Sequence, residues 1–225
     1  MFQRSRFVLL VLLTLLTAAA EGRWRAGAAK VNVTPDGPIW LSGFSNRNRP
    51  SERVLQEIWV KALAIEDESG KVSVIVTSDL QGFSRGMSDS IAAEAHKRHG
   101  LPRERLLLNA SHNHSAPVTN DVLPLYYDLE PGPRAAVDRY TAALPGKVLD
   151  AIGTALGRLE PAELYFEQGL AGFAVNRRRS RPSTRHLPGP VDPDVPVLAV
   201  RRPDGTLKAV LFGYACHTTT LAGYA

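Results

Sequence analysis

Two histidines separated by one residue are the first candidates for chemistry in this chain. His112 and His114 stand in the stretch 109–117, which follows the apolar run 106–108. In an extended segment, residues two apart point to the same side, so both imidazoles can face one cavity while Asn113 points away. Neutral imidazole is a good zinc ligand, and the pair would make half of a zinc site. Polar side chains satisfied at a strand end have the same spacing, so the pair alone leaves both interpretations open.

The elements around this pair predict how it is positioned. The apolar stretches 59–65 and 72–77 are predicted strands joined by a hairpin turn, and 85–98 is a predicted helix. The stretch 106–110 is then a buried strand. A strand, a crossover helix and a second strand imply a parallel pair with a right-handed connection. Ligand sites in such sheets lie beyond the carboxyl ends of the strands, which is where His112 falls.

Two further polar residues follow predicted strands. Asp79 comes after the strand 72–77, where it belongs either to the site or to a turn or helix cap. His217 follows a predicted hairpin made of 195–200 and 207–214. Taken singly, each is explained as well by a packed polar residue. Taken with the histidine pair, they predict one common site at the strand ends.

The remaining pattern completes the predicted fold. A first strand is expected over 28–33 and another over 162–168, and a long helix is expected over 134–159. Pro145 lies inside that helix and predicts a kink or a break there. The chain is therefore expected to adopt an α/β fold with a mixed β-sheet, combining parallel crossovers and hairpins, with helices packed on the outside.

Composition excludes several classes of function. The 225 residues are 44% hydrophobic and 22% charged, which is typical of a globular domain with a sizeable core. The net charge of +5 is too mild to predict a nucleic-acid partner. Five arginines in the range 177–185 are expected to form a solvated basic loop, of which one or two can turn inward. Cys216 is the single cysteine, so no intrachain disulfide can form, and a small buried side chain is expected.

The first twenty residues have the layout of an export signal. Residues 1–6 are short and basic, 7–16 are almost purely apolar, and 17–20 are small. This three-part pattern predicts a signal peptide over 1–20 and a secreted or periplasmic protein. An uncleaved N-terminal anchor is the alternative, although the apolar part is short for a membrane span. Both interpretations put the globular part outside the cytoplasm.

Short motifs are spread along residues 26–225. They are AGAAKVNVTP (26–35), LSGFSNR (41–47), WVKAL (59–63), SDL (78–80), SHNHS (111–115), VNRR (175–178), VDP (191–193) and CHT (216–218). In their order and spacing, which together make the match specific, the chain resembles the neutral/alkaline non-lysosomal ceramidase family. This resemblance implies that 21–225 is the N-terminal part of a ceramidase-like catalytic domain, incomplete at its C-terminus.

The resemblance also implies roles for individual residues. His112 and His217 match zinc-ligand histidines of the family, and His114 matches a neighbouring active-site histidine that contacts water or substrate. Arg177 resembles the active-site arginine near the scissile amide. Asp79 resembles an acid that is structural or that orients a ligand histidine. The family's other zinc ligands, a glutamate and a tyrosine, are expected after residue 225.

These observations predict a zinc-dependent amide hydrolase that cleaves the N-acyl bond of ceramide or a related lipid, met at a membrane surface. Zinc would be the cofactor, because it activates water and polarises a carbonyl group. A hydrolase of the same scaffold that acts on another amide or ester is one alternative. A secreted, non-catalytic binding protein is the other, and it predicts neither zinc nor hydrolysis.

Overall fold

A computed structural model describes residues 24–178, 189–221 and 223. The predicted export signal over 1–20 lies outside the described residues. So does most of the arginine run, from 179 to 185, although Arg177 and Arg178 are described.

The described residues form one sheet of seven strands and two α-helices. In chain order the elements are β1 (Trp24–Asn32), β2 (Trp59–Glu66), β3 (Val72–Ser78), α1 (Arg85–His99), β4 (Leu106–Ala110), α2 (Pro131–Leu156), β5 (Glu160–Leu170), β6 (Asp194–Arg201) and β7 (Leu207–Phe212). The strands lie in the order β4-β3-β2-β1-β5-β6-β7. All neighbouring strands are antiparallel except β3 and β4, which are parallel. The predicted α/β fold with a mixed sheet is confirmed.

The β2–β3 hairpin forms as predicted. Its turn is stabilised by Asp67, whose carboxylate accepts hydrogen bonds from the backbone N–H groups of Ser69 and Lys71 at 2.9 and 3.0 Å. Gly70 takes the left-handed backbone conformation (φ 77°) that the turn requires, which glycine adopts without a steric penalty. Strand β1 begins four residues earlier than predicted, because its first residues pair with β5, as in Trp24 opposite Ala162.

The parallel pair β3–β4 is the element that positions the histidines. The strands are in register from Val74 opposite Leu106 to Ser78 opposite Ala110. Helix α1 makes the crossover between them and is bounded by two local signals. Its N-cap Ser84 accepts a hydrogen bond from the backbone N–H of Met87, and Gly100 ends the helix in the left-handed conformation. The predicted helix and crossover are therefore confirmed.

Helix α2 continues through Pro145, so of the kink or break predicted there, the break is wrong. Tertiary packing explains the difference, since Leu144, Val148 and Ile152 are fully buried on both sides of the proline. The helix also begins earlier than predicted, at Pro131, a residue type that suits the first turn. Within the described residues, no helix has the combination of length and apolar character needed to cross a membrane.

The core lies on both faces of the sheet, and β2 shows why. Its alternate residues Ala62 and Ala64 are buried in the main cluster with side chains of both helices. Leu63 points to the opposite face and packs in a smaller cluster with Ala162 and Val200 from β5 and β6. This alternation is the period of two that strand geometry imposes. The helices thus cover one outer face, as predicted.

The last hairpin brings a third histidine toward the site. Strands β6 and β7 are joined by a turn in which Gly205 has a positive φ of 83°. Strand β7 ends at Phe212, two residues before its predicted end. His217 therefore lies five residues beyond the strand, in a loop rather than directly at a strand end.

Substitution of Gly27 tests the packing of β1 against α2. A methyl group on Gly27 would overlap the carbonyl group of Ala155 and lie 2.9 Å from the carbonyl carbon of Arg158. These are backbone atoms that cannot move aside cheaply. We expect Gly27→Ala to lower the free energy of unfolding by about 1–3 kcal/mol, measured by chemical denaturation.

Gly146→Ala is the matched control. Gly146 lies in α2 with open space where a methyl group would be. Removing a glycine from a helix interior is expected to stabilise by roughly 0.5–1 kcal/mol. Equal free energies of unfolding for the two variants would contradict the proposed packing.

Candidate metal centre

The backbone pairing of β3 and β4 extends past the ends of both strands. The N–H of Ser111 donates to the carbonyl of Ser78 at 2.9 Å, and the N–H of Asn113 donates to Leu80 at 3.1 Å. The segment that carries His112 therefore runs beside residues 78–81. It lies at the carboxyl ends of the two parallel strands, where a ligand site was expected.

His112 is held in a specific orientation. Its backbone is in the left-handed region (φ 56°), which is uncommon for a residue with a side chain. Its Nδ1 lies 2.9 Å from the carbonyl oxygen of Gln81, to which it donates a hydrogen bond as the N–H tautomer. This contact leaves Nε2 with a free lone pair, the tautomer that a metal-ligating histidine needs.

His114 is the buried member of the pair, with 8% of its surface exposed. Gly43 packs against its imidazole so closely that a methyl group on Gly43 would overlap the ring. Phe44 contacts the ring edge-on, with centroids 5.2 Å apart. The Nδ1 atom of His114 is buried and has no hydrogen-bond partner among the described residues. Such an orphaned nitrogen is unusual in a folded interior.

His217 reaches the pair through the loop after β7. Thr218 ties this loop to the histidine segment, because its hydroxyl donates to the carbonyl of His112 at 2.9 Å. The Nε2 atoms of His217 and His114 are 2.9 Å apart, so one nitrogen donates to the other. The structure thus brings together residues that are 103 positions apart in sequence.

The three imidazoles form a compact set of nitrogen donors. Ring centroids of His112, His114 and His217 are 4.6 to 5.0 Å apart. One ring nitrogen from each residue lies within 4.8 Å of the others. Nitrogens at about 2.0–2.1 Å from one zinc ion in a tetrahedral shell would be about 3.4 Å apart, so a small adjustment of the rings suffices. The donor set fits a metal ion, whereas the orphaned Nδ1 of His114 packs against Gly43, on the other side of the ring from the Nε2 that meets His217.

Burial and neighbouring charges lower the pKa of two of the three histidines, His114 and His217. Burial lowers the pKa of His114 from an ordinary value of 6.5 to about 4, and the other two imidazoles add to the effect. The guanidinium groups of Arg47 and Arg177 lower it further. The pKa of His217 is lowered by burial first, then by His112 and Arg177. Neutral His114 and His217 keep the lone pairs that a metal or a proton would use at pH 7.

Arg177 and Asp79 differ in their relation to the histidine cluster. Arg177 is exposed, and its charge acts on His114 and His217, which puts its guanidinium in the vicinity of the cluster. The Asp79 carboxylate instead accepts hydrogen bonds from the N–H of Trp59 and from Lys61, at 2.9 and 3.3 Å. Of its two predicted roles, the structural one is observed, and the contact that orients His112 comes from Gln81.

The backbone at the histidine pair differs from the extended strand that was predicted there. His112 and His114 do converge, but through the left-handed turn at His112 rather than through an extended strand. Asn113 points away as expected, and with Asp79 it lines a separate cavity of about 470 Å³ behind the histidine segment. Cys216, expected in a strand, is half-buried in the loop after β7.

Arg47 is a residue whose role the sequence analysis missed. Its guanidinium is buried and donates to the carbonyl of His114 at 2.7 Å and also to that of Ser42. It donates as well to the carbonyl of Gly223, at 3.0 and 3.1 Å. Arg47 thus ties the loop after β1 to the histidine segment and to the end of the chain. Gly43 and Arg47 both fall in the motif LSGFSNR (41–47), which is the sequence feature that could have pointed to these two residues.

No protein-family model matches the chain. A curated neutral ceramidase of Drosophila pseudoobscura pseudoobscura is 22% identical over 126 residues, which cover 55% of this chain and 18% of that protein. A crystal structure of neutral ceramidase from Pseudomonas aeruginosa matches 89% of the chain with a TM-score of 0.75 and 22% identity. A ceramidase complexed with C2 matches 87% of the chain with a TM-score of 0.71, also at 22% identity.

The chain resembles the neutral ceramidases. The resemblance predicted from the ordered motifs is confirmed by the curated relative and by the two solved structures. At 22% identity, the structural likeness shows a shared fold. The chain spans about a third of the length of the two solved ceramidases and 18% of the curated one. The roles of His112, His114, Arg177 and His217 therefore stay predictions.

Arg47→Lys tests the buried guanidinium. Lysine keeps the charge, but a single ammonium group cannot reproduce donation to three carbonyl groups in a fixed fork. We expect the free energy of unfolding to fall by roughly 1–3 kcal/mol, measured by denaturant titration.

Arg49→Lys is the matched control, because Arg49 is about half-exposed and pairs with Glu52 on the surface. Its expected change is within about 0.5 kcal/mol. If the free energy of unfolding falls no more in Arg47→Lys than in Arg49→Lys, the hydrogen bonds of the Arg47 guanidinium contribute little to stability.

Proposed function

We propose that this chain carries part of the active site of a zinc-dependent amide hydrolase that cleaves the N-acyl bond of ceramide or a related lipid. The observation that carries the proposal is the convergence of His112, His114 and His217. These residues come from two loops of a fold shared with neutral ceramidases. Amide hydrolysis needs a nucleophile at neutral pH and stabilisation of charge on the carbonyl oxygen.

In this proposal His112 and His217 hold the metal. The hydrogen bond from Nδ1 of His112 to Gln81 fixes the ring and its tautomer before a ligand arrives. Thr218 fixes the backbone of the loop that carries His217 relative to His112. Bound zinc would lower the pKa of a water molecule to about 7 and polarise the substrate carbonyl.

His114 acts as the proton carrier. Neutral His114 has a lone pair that can take a proton from the attacking water at Nε2, although its lowered pKa makes it a weaker base than free imidazole. The same proton can then pass to the amine that leaves, which makes amide cleavage complete. Arg47 and Gly43 hold the residue by its carbonyl group and its ring, so the nitrogen stays aimed at the other imidazoles.

Arg177 stabilises the oxyanion or binds a substrate hydroxyl. Burial is the main cause of the lowered pKa values of His114 and His217, and the Arg177 guanidinium adds a smaller contribution to each. A fixed guanidinium donates to a developing oxyanion through charge-assisted hydrogen bonds. Export through the segment 1–20 would put this site outside the cytoplasm, where a lipid amide can be met at a membrane surface.

Zinc content tests the metal centre directly. The intact gene product is expected to hold about one zinc ion per chain, measured by elemental mass spectrometry. His112→Ala and His217→Ala each remove a ligand, so we expect both variants to lose most of the metal. His114→Ala is expected to keep most of the zinc and to lose hydrolysis.

His96→Ala is the control, since His96 is exposed near the end of α1. It is expected to keep the full zinc content. Unchanged zinc in both His112→Ala and His217→Ala would show that the assignment of the metal ligands is wrong.

Hydrolysis of a substrate panel tests the reaction. We expect the intact gene product to release fatty acid from ceramide faster than from short N-acyl amides or simple esters. Arg177→Gln is expected to lower kcat by about 10²–10³-fold with unchanged zinc content, because an oxyanion donor acts mainly in the transition state.

Arg178→Gln, at the neighbouring exposed position, is the matched control and should keep the kcat of the wild type. A preference for esters would show that the proposed substrate is wrong, although the protein would still be a hydrolase. Absence of both bound zinc and hydrolysis would favour a non-catalytic binding protein.

A further inference from the structure

We propose that Tyr127 is a positioning residue for the histidine cluster, which it sets through one hydroxyl group hydrogen-bonded to two segments. The proposal rests on the proposed function only in calling the cluster a zinc site. Tyr127 lies outside the motifs that carry the ceramidase resemblance, in the loop between β4 and α2.

The ring of Tyr127 is fixed by apolar packing. Only 7% of its surface is exposed, and it belongs to a buried cluster with Ile39, Leu41, Val118 and Val137. A tyrosine in such a place has an apolar body in the core and a polar tip that needs a partner. The hydroxyl position is therefore set by the core and not by solvent.

The first contact of the hydroxyl leads to His114. The backbone N–H of Gly43 donates to the Tyr127 hydroxyl at 2.7 Å. Gly43 is in the left-handed conformation (φ 97°), and its α-carbon lies directly against the imidazole of His114. A shift of the Gly43 backbone toward the ring would therefore displace the imidazole. The short hydrogen bond holds this loop at the distance that the ring requires.

The second contact leads to His112. The Tyr127 hydroxyl donates to the side-chain oxygen of Gln81 at 3.4 Å, a long and therefore weaker hydrogen bond. The main-chain carbonyl of the same Gln81 accepts the Nδ1–H of His112. Burial raises the pKa of Tyr127, so its hydroxyl keeps the proton that this contact needs. The Tyr127 hydroxyl is thus linked to His114 through Gly43 and to His112 through Gln81.

Removal of the Tyr127 hydroxyl deprives the N–H of Gly43 and the side chain of Gln81 of a hydrogen-bond partner, and the apolar ring of phenylalanine supplies no other. In Tyr127→Phe the partly buried N–H of Gly43 loses its partner, and an unpaired donor shielded from water is unfavourable. The loop can satisfy that donor only by moving to another acceptor or to water. Such a movement changes the space beside His114 and loosens Gln81 beside His112.

Zinc affinity measured by competition with a chelator tests the proposal. We expect Tyr127→Phe to weaken zinc binding by about tenfold, the lower end of the effect of groups that orient metal ligands. Tyr140→Phe is the matched control, because the Tyr140 hydroxyl is likewise bonded to a backbone group, here as the donor to the carbonyl of Val33 at 2.7 Å. Tyr126→Phe controls for the neighbouring, half-exposed tyrosine. Both controls are expected to bind zinc as the wild type does.

A second measurement on metal-free protein separates this proposal from the proposed function. Nitrogen NMR of the imidazoles is expected to show His112 as the Nδ1–H tautomer in the wild type and as a tautomer mixture in Tyr127→Phe. If the wild type binds no zinc, the proposed function fails and the tautomer result alone decides this proposal. The proposal is wrong if Tyr127→Phe changes neither the zinc affinity nor the tautomer of His112. It is also wrong if Tyr140→Phe loses as much zinc affinity as Tyr127→Phe.

Discussion

The candidate site depends on the backbone pairing that continues beyond the parallel strands β3 and β4. Because Ser111 and Asn113 still donate to the carbonyl groups of residues 78 and 80, the next free carbonyl, that of Gln81, stands beside the His112 ring. A parallel register is fixed by the pattern of evenly spaced hydrogen bonds, so a slip would move every later side chain. The crossover through α1 makes this register possible, and both the ring tautomer of His112 and its aim follow from it.

The charges around the cluster create a conflict that bound metal would have to overcome. Burial and the two other imidazoles are the main causes of the lowered pKa of His114, and the guanidinium groups of Arg47 and Arg177 further disfavour positive charge there. The same field opposes a divalent cation and favours an anion, such as a hydroxide or a developing oxyanion. A metal held here must therefore gain its stability from short ligand bonds, and its net charge would be reduced by anionic ligands. The arrangement suits a reaction in which negative charge develops on the substrate.

Local patterns could predict the elements of this fold but not the contacts that complete the site. The hairpin β2–β3, the helix α1 and the strand β4 follow from apolar periodicity and from turn residues such as Gly70 and Gly100. The contact of Arg47 with the carbonyl of His114 spans 67 residues, and no periodicity encodes it. The predicted break at Pro145 was wrong for a related reason, since burial of the helix outweighs one lost backbone hydrogen bond.

The left-handed backbone of His112 is held by hydrogen bonds to two other segments. A side chain in this conformation costs roughly 1–2 kcal/mol, and such strain persists only where surrounding contacts determine it. Here the carbonyl of His112 accepts from Thr218, and its ring donates to Gln81. Asp121 and Leu123 also have a positive φ, of 63° and 56°, so this conformation does not by itself mark a functional residue. At His112 it is the hydrogen bonds of the ring and of the carbonyl that connect the conformation to the histidine cluster.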